Sequence, residues 1–392
     1  MVSNPREWLF APFMSVTTGD ALPKASPLEV RMRFKYRFRA VLYGGNSIMR
    51  WDSYEKRFRE EAALKGKSQN QIDSWINYAH NLFKQKLPII YNQTHFALLL
   101  GIDNEYLHAM SNAPEFFYKT FFIPKRNGHR RRIDEPLPDL KRVQKWILNE
   151  ILYNIPASKY AKAYVPGMSI KENARFHRNQ SLLVAVDIKD FFPSIKSGYI
   201  LNVFLSVGYN IETSVLLTRL CCLKETLPQG APTSAYLSNL VLRKLDENIS
   251  SYCLDKKIRY TRYADDMTFS GDFDIAALLF RVDQELKYLG LSRNKRKLKV
   301  MKEHDRQCTT GIIVNKNMQV SREYRMEIRK EIHYIERFGL DDHLSHVGET
   351  RMHYVDHLIG KIEYALFINP KDHKMQEYLE KIRPYKDRSD DS

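Results

Sequence analysis

Cysteine is scarce in this chain: Cys221, Cys222, Cys253 and Cys308 are the only four in 392 residues, and none forms a C-x-x-C pair. That count argues against a disulfide framework and a zinc ribbon, so the four read as reduced thiols in a cytoplasmic protein. Long hydrophobic runs are also missing. The longest, such as Phe96 to Ile102 and Leu182 to Val186, fall far short of the roughly 20 residues that a membrane-spanning helix needs. The apolar patch Trp8–Met14 is interrupted by Pro12, and no secretory leader is expected. No 20–50-residue repeat and no Gly/Ser-rich or Pro-rich linker divides the sequence, which excludes a solenoid and a string of loosely tethered modules. Acid is in deficit as well: 46 Asp and Glu against 62 Lys and Arg leave a formal net charge of +16. Such an excess favours a polyanionic partner, a nucleic acid or an anionic membrane surface.

What is present is enough to fold. Hydrophobic residues make up 43% of the chain, which excludes wholesale disorder, and the length suits two or three packed units. Ser68-x-x-Gln71 is a capping-box pattern, and Ile72, Trp75, Ile76, Ala79 and Phe83 follow at helical spacing. Val30 to Arg39 alternates apolar residues with Arg and Lys as a basic-faced strand would, yet Ser26-Pro27-x-Glu29 before it signals a helix start; helix is preferred. Phe121-Phe122-Ile123 and Arg131-Arg132-Ile133 flank a Pro- and Gly-containing turn and predict a hairpin. Leu140 to Leu152 and Ser321 to Arg383 read as helical. Strands and helices are interspersed without regular alternation, so the class is α+β.

Two segments carry chemistry. The apolar run Leu182–Val186 ends at Asp187, as a buried strand delivering a carboxylate to a sheet edge would. Tyr263-Ala264-Asp265-Asp266 lies in the middle of Ile258–Ser270, which reads as two strands around a tight turn. Two carboxylate-bearing strand ends at one edge offer hard oxygen donors, the ligand set that suits Mg²⁺ together with substrate phosphates. Two such ions can activate an attacking hydroxyl and stabilise a leaving pyrophosphate.

In order and spacing, Asp187-x-x-x-x-Phe192, then Leu227-Pro228-Gln229-Gly230-Ala231-Pro232-Thr233-Ser234, then Tyr263-Ala264-Asp265-Asp266 resemble the palm motifs of reverse transcriptases. The resemblance implies a right-hand polymerase fold of fingers, palm and thumb with an N-terminal, mostly helical extension. It implies an RNA-directed DNA polymerase, a nucleotidyltransferase using two Mg²⁺ ions and deoxynucleoside triphosphates. Asp187 and Asp265 would hold metal directly with Asp266 beside them, the three forming the catalytic and metal set. Asp190 reads as a surface acid. Phe192 would gate the sugar of the incoming nucleotide, and Gln229 and Gly230 would touch the nascent base pair, ahead of a helix burying Leu237, Leu240, Val241 and Leu245. Lys125 and Arg132, in the acid-free run 119–132, would bind triphosphate. Gly290-Leu291-x-x-Asn294-x-x-Lys297 resembles the fourth palm motif, whose Lys protonates pyrophosphate. Leu298 stands where Thr is usual, which leaves Arg296 as an alternative to Lys297.

Asn173-Ala174-Arg175-Phe176-His177 matches the N-A-x-x-H insertion of retron reverse transcriptases, and Thr309-Thr310-Gly311 occupies the place of their V-T-G. Asn173, His177, Thr310 and Gly311 are therefore expected to serve the cognate RNA. The resemblance implies copying of part of a structured noncoding RNA of msr-msd type, primed from an RNA 2′-hydroxyl, into a branched RNA–DNA hybrid (msDNA). It also implies antiphage defence, an effector protein as partner, and no membrane. The expected organisation is an extension at 1–94, fingers with the retron-type insertion at 95–180, a catalytic palm at 181–315 and a helical thumb and tail at 316–392. The clustered His343, His346, His353 and His357 are read as lying beside phosphate rather than binding zinc. Two alternatives remain: a defence-associated reverse transcriptase without a retron RNA, and an RNA-binding scaffold with a vestigial site. Ala264 and Phe192 argue against an RNA polymerase, and the length beyond the thumb argues against an intron maturase.

Overall fold

The computed structural model describes residues 51–124, 128–348 and 353–389. The basic segment 30–39 and Lys125 lie outside the described residues. The chain forms two compact units, Met1–Pro156 with Phe192–Val241, and Ala157–Phe191 with Leu242–Ser392. The stretch expected to be the palm, 181–315, contributes to both.

In the first unit the capping box forms as the sequence predicts. Ser68 accepts from the Gln71 amide and the Gln71 side chain reaches back, opening the helix Gln69–Lys84, which buries Ile72, Ile76, Ala79 and Leu82. Helices Gln93–Leu100 and Asn104–Asn112 start on Asn92 and Asp103, whose side chains accept from the third helical amide. Strands β1 (Tyr118–Pro124) and β2 (Arg130–Pro136) pair antiparallel from Tyr118↔Pro136 to Pro124↔Arg130. Helical structure continues through Pro138–Trp146 and a wide turn at Ile147–Ile151. The helix after Gln229-Gly230 is shorter than the sequence suggests. It covers Ser234–Val241 and buries six of its eight residues, and Leu245 falls instead on a separate helix, Arg243–Asp255, which belongs to the second unit. Leu242 leaves helical geometry at ψ 1° and is itself fully buried. A helix buried nearly all round has no single apolar face for periodicity to find.

The second unit is built on an antiparallel sheet in the order β4-β5-β3-β6, with β3 Leu182–Asp187, β4 Arg259–Tyr263, β5 Asp266–Gly271 and β6 Lys299–Lys302. β3 is central and apolar, with Leu183, Val184 and Val186 buried. A small ladder pairs β7 (Cys308–Thr309) with β8 (Ile312–Ile313) around Thr310-Gly311, both at positive φ, the pattern of a type I′ turn. Helices Arg322–Phe338, Tyr354–Ile368 and His373–Ser389 pack their apolar sides, including Ile328, Ile332, Leu358, Ile362 and Ile382, into one core. His343 there hydrogen-bonds Tyr354 Oη at 2.9 Å. Among the described residues no group of three His, Cys, Asp or Glu is set to hold a metal, and no helix is long and apolar enough to cross a membrane.

Candidate active site

Asp187 closes β3 and pairs across the sheet with Asp266, the first residue of β5. The register that buries the apolar residues of β3 therefore brings both carboxylates to one sheet edge. Tyr263 and Asp266 close the β4–β5 hairpin, with Ala264 and Asp265 as its two turn residues. Ala264 sits at φ 58°, a region side-chain-bearing residues seldom adopt. The Asp265 carbonyl accepts from the Ile188 amide at 3.0 Å, tying the turn to the end of β3.

A fourth charge arrives from a loop. The Asp187 carbonyl accepts from the Asn294 amide at 2.7 Å, and the Lys189 amide donates to Ser292 O at 2.9 Å. The short helical turn Lys295–Lys297 follows, and Lys297 Nζ donates to Asp187 Oδ2 at 2.8 Å. That bond holds the ammonium above the usual lysine range. Arg296 is exposed beside it. Solvent reaches Asp266, yet protein crowds it on most sides. Burial first, then Asp265 and Asp187, lift its carboxyl to about 6 against the pull of Lys297 and Lys299. Three acids within electrostatic reach and one lysine make a strongly polarised edge with hard oxygen donors only. A Mg²⁺ ion needs one or two carboxylates and completes its shell with water and phosphate, so the donor set fits without a closed three-acid cluster. Asp190 is exposed at φ 45°.

Arg132, Phe192, Gln229 and Gly230 belong to the first unit. Arg132 is half exposed and bonds Asp134 through Nε at 2.9 Å, and Thr120 Oγ1 donates to the same carboxyl oxygen at 2.7 Å. The Gln229 carbonyl accepts from the Asp134 amide at 2.9 Å, leaving the Gln229 side chain partly exposed. Gly230 has φ +135°, and a Cβ there would meet Asp134 O at 2.7 Å. Here the glycine is demanded by the β2 backbone. Phe192 is half-buried.

The N-A-x-x-H residues are placed otherwise than an RNA-facing role suggests. Asn173 and His177 are completely buried. Thr261 Oγ1 donates to Asn173 Oδ1 at 2.6 Å, and Asn173 Nδ2 donates to Thr309 and Thr310 at 3.3 and 3.4 Å. Because the Thr261 hydroxyl proton is committed, His177 Nε2 must donate to Thr261 (2.7 Å), and Nδ1 then accepts from Ser270 (2.8 Å). The imidazole is neutral: burial, then Arg259, pushes it down to about 3. Thr310 and Gly311 form the β7–β8 turn. The sequence reading missed Thr261, Ser270 and the pair Asp246–Arg262 described below. A lone Asp246 between Leu245 and Ile249, at buried helical positions, was the available signal.

The family model described as reverse transcriptase (RNA-dependent DNA polymerase) matches residues 123–335. The chain belongs to the retron-type reverse transcriptases. It is 30% identical over 307 residues to the retron Ec86 reverse transcriptase of Escherichia coli, covering 76% of this chain and 91% of that protein. It is also 30% identical over 383 residues to the retron Mx65 reverse transcriptase of Myxococcus xanthus, covering 91% and 87%. The enzyme is an RNA-directed DNA polymerase, a nucleotidyltransferase with the right-hand polymerase fold. RNA is accordingly a partner, and the family generally uses divalent metal ions.

Proposed function

We propose that DNA synthesis takes place at the edge formed by Asp187, Asp265 and Asp266, and that the observation carrying this reading is the Asp187–Asp266 register with Lys297 bound to Asp187. Asp187 and Asp265 would hold Mg²⁺, with Asp266 supporting them. Bound there, the ions supply charge for the attacking hydroxyl and the departing pyrophosphate. A primer hydroxyl, losing its proton to solvent, attacks the α-phosphorus of a deoxynucleoside triphosphate, forming the new P–O bond as the bond to pyrophosphate breaks. Lys297, protonated at neutral pH, is placed to give its proton to the pyrophosphate oxygen. Phe192 would exclude a 2′-hydroxyl, Gln229 and Gly230 would line the nascent pair, and Lys125 and Arg132 would take triphosphate oxygens.

The first hydroxyl in our reading is a guanosine 2′-OH of a structured noncoding RNA, the product is a branched RNA–DNA hybrid, and the complex of protein and hybrid restrains an effector in antiphage defence. The N-A-x-x-H sequence and the kinship with retron enzymes support it. A groove of about 460 Å³ between helices Arg322–Phe338 and His373–Ser389 carries Arg322, Arg325, Arg329, Lys374 and Lys381 beside Glu336 and apolar residues such as Ile332 and Met375. Arg325, Lys374 and Lys381 pair with Asp372, Glu377 and Glu336, and the remaining basic excess is consistent with a nucleic-acid-holding thumb.

Converting Asp265 and Asp266 to Asn is expected to abolish Mg²⁺-dependent DNA synthesis while RNA binding persists. Continued synthesis refutes the site. Sequencing the nucleic acid that co-purifies with active enzyme tests the retron reading. A branched RNA–DNA species upholds it, and its absence favours a reverse transcriptase without a retron RNA.

A further inference from the structure

β4 carries an arginine that the chemistry proposed above does not use. Arg262 is fully inaccessible to solvent, and so is its partner Asp246 on the helix Arg243–Asp255. Its Nε and Nη2 donate to the two Asp246 oxygens at 2.8 and 2.7 Å, a two-pronged pairing, and Tyr260 Oη donates to Asp246 Oδ1 at 2.7 Å. The third guanidinium nitrogen, Nη1, donates to the carbonyl of Ala264 at 3.1 Å. Ala264 is the positive-φ residue of the turn that presents Asp265. Burying an unshielded ion pair costs free energy that an apolar pair of similar volume would not, so the pair is weak evidence for stability and invites a different explanation.

Geometry supplies one. A lysine could neutralise Asp246, but only a planar guanidinium can grip both carboxyl oxygens and still aim a donor at the turn. The backbone around Arg262 is fixed as well: its amide donates to Tyr160 O at 2.9 Å and its carbonyl accepts from the Lys162 amide at 2.8 Å. On the opposite face of β4, Thr261 is held by His177 and Asn173. We infer that Arg262, oriented by Asp246, is a positioning residue that locks the strained Ala264 turn and so sets where the Asp265 and Asp266 carboxylates stand. This rests on those carboxylates being the catalytic set.

The test compares full-length wild type with Asp246→Leu/Arg262→Met, Arg262→Lys and, as a control, Asp265→Asn. The double variant removes both charges together, leaving no lone buried ion. Single-turnover nucleotide addition on a DNA-primed RNA template is measured against dNTP and Mg²⁺ concentration, together with primer–template affinity, Tm and amide hydrogen exchange. The double variant should keep its Tm within a few degrees and its primer–template affinity. Its addition rate should fall about 10- to 100-fold, the penalty of a misplacement on the ångström scale. Half-maximal activation should need several-fold more Mg²⁺, and the amides of Ile188 and of the hairpin turn should exchange faster than in wild type. Arg262→Lys, which keeps the charge opposite Asp246, should fold and fall between the two. If the double variant does not fold, Arg262→Lys decides on the same readouts. Wild-type rate, Mg²⁺ requirement and turn exchange in the folded variant overturn the inference. If Asp265→Asn itself retains synthesis, the site assignment fails instead.

Discussion

Replacing His177 by Gln removes an acid-sensitive part of the protein's stability. The imidazole is buried and neutral, with its pKa lowered from 6.5 to about 3 by burial and Arg259. In the unfolded chain it titrates normally, so between those two values the unfolded state binds a proton that the folded state refuses. Stability therefore falls as pH drops below about 6.5 and keeps falling toward 3, by up to ~1.4 kcal/mol per pH unit. From pH 8 to pH 5 the loss assigned to this one residue is about 2 kcal/mol, roughly 4–8 °C of Tm for a unit of this size. Glutamine carries one acceptor and a donor group and can serve Ser270 and Thr261 in the same sense as the neutral ring, but it does not titrate. The assay is urea unfolding or Tm of both proteins at half-unit steps from pH 8 to pH 5. His95, also held neutral by burial at about 4, contributes the same slope to both and cancels in the difference. The wild type should lose about 2 kcal/mol more than the variant across this range. Parallel pH profiles would refute the buried neutral assignment.

Three further substitutions probe the proposed site. Gly230→Ala pushes a Cβ to 2.7 Å from Asp134 O at φ +135°, so unfolding free energy should drop by roughly 1–3 kcal/mol; an unchanged Tm would mean that the loop and β2 do not pack as seen. Phe192→Val should raise ribonucleotide relative to deoxyribonucleotide incorporation about tenfold or more in a competition assay, and unchanged discrimination removes Phe192 as the sugar gate. Lys297→Met should lower the nucleotide-addition rate about 100-fold with primer–template affinity intact; full activity would shift the proton-donor role to another group such as Arg296.

The edge where Asp187 and Asp266 meet was legible in the sequence because one physical rule governs it. An apolar strand has few reasons to end on Asp187, and the turn-forming Ala264-Asp265 between two strand-like halves allows only a tight hairpin. Together these specify strand, turn and edge from local chemistry alone. Arg262 was opaque for the opposite reason. Its partner Asp246 lies 16 positions away on a helix, and a period-2 pattern says which face a side chain takes without saying what waits there. The run from Leu237 to Leu245 misled in a third way: apolar residues continue at helical spacing across a backbone break at Leu242, since burial on all sides needs no interruption of the pattern.

The N-A-x-x-H pattern shows how far a motif can travel from its mechanism. Sequence marks Asn173 and His177 as belonging to enzymes with a dedicated RNA, and direct contact is the simplest expectation. Complete burial in a relay running from Ser270 through His177, Thr261 and Asn173 to Thr309 and Thr310 leaves their side chains no surface to offer. Whatever they do for RNA must pass through the shape they hold, and what they hold is the β4–β5 hairpin, which presents Asp265 and Asp266, together with the β7–β8 turn. Loosening the relay should therefore slow synthesis on every template alike. A residue that reads the cognate RNA would instead change selectivity between templates. A His177→Leu variant, which removes both ring hydrogen bonds to Ser270 and Thr261, assayed on a generic primed template and on the co-purifying RNA, separates these cases: equal effects place His177 in the scaffold, and a loss confined to the cognate RNA would mean that the buried relay is opened when that RNA binds.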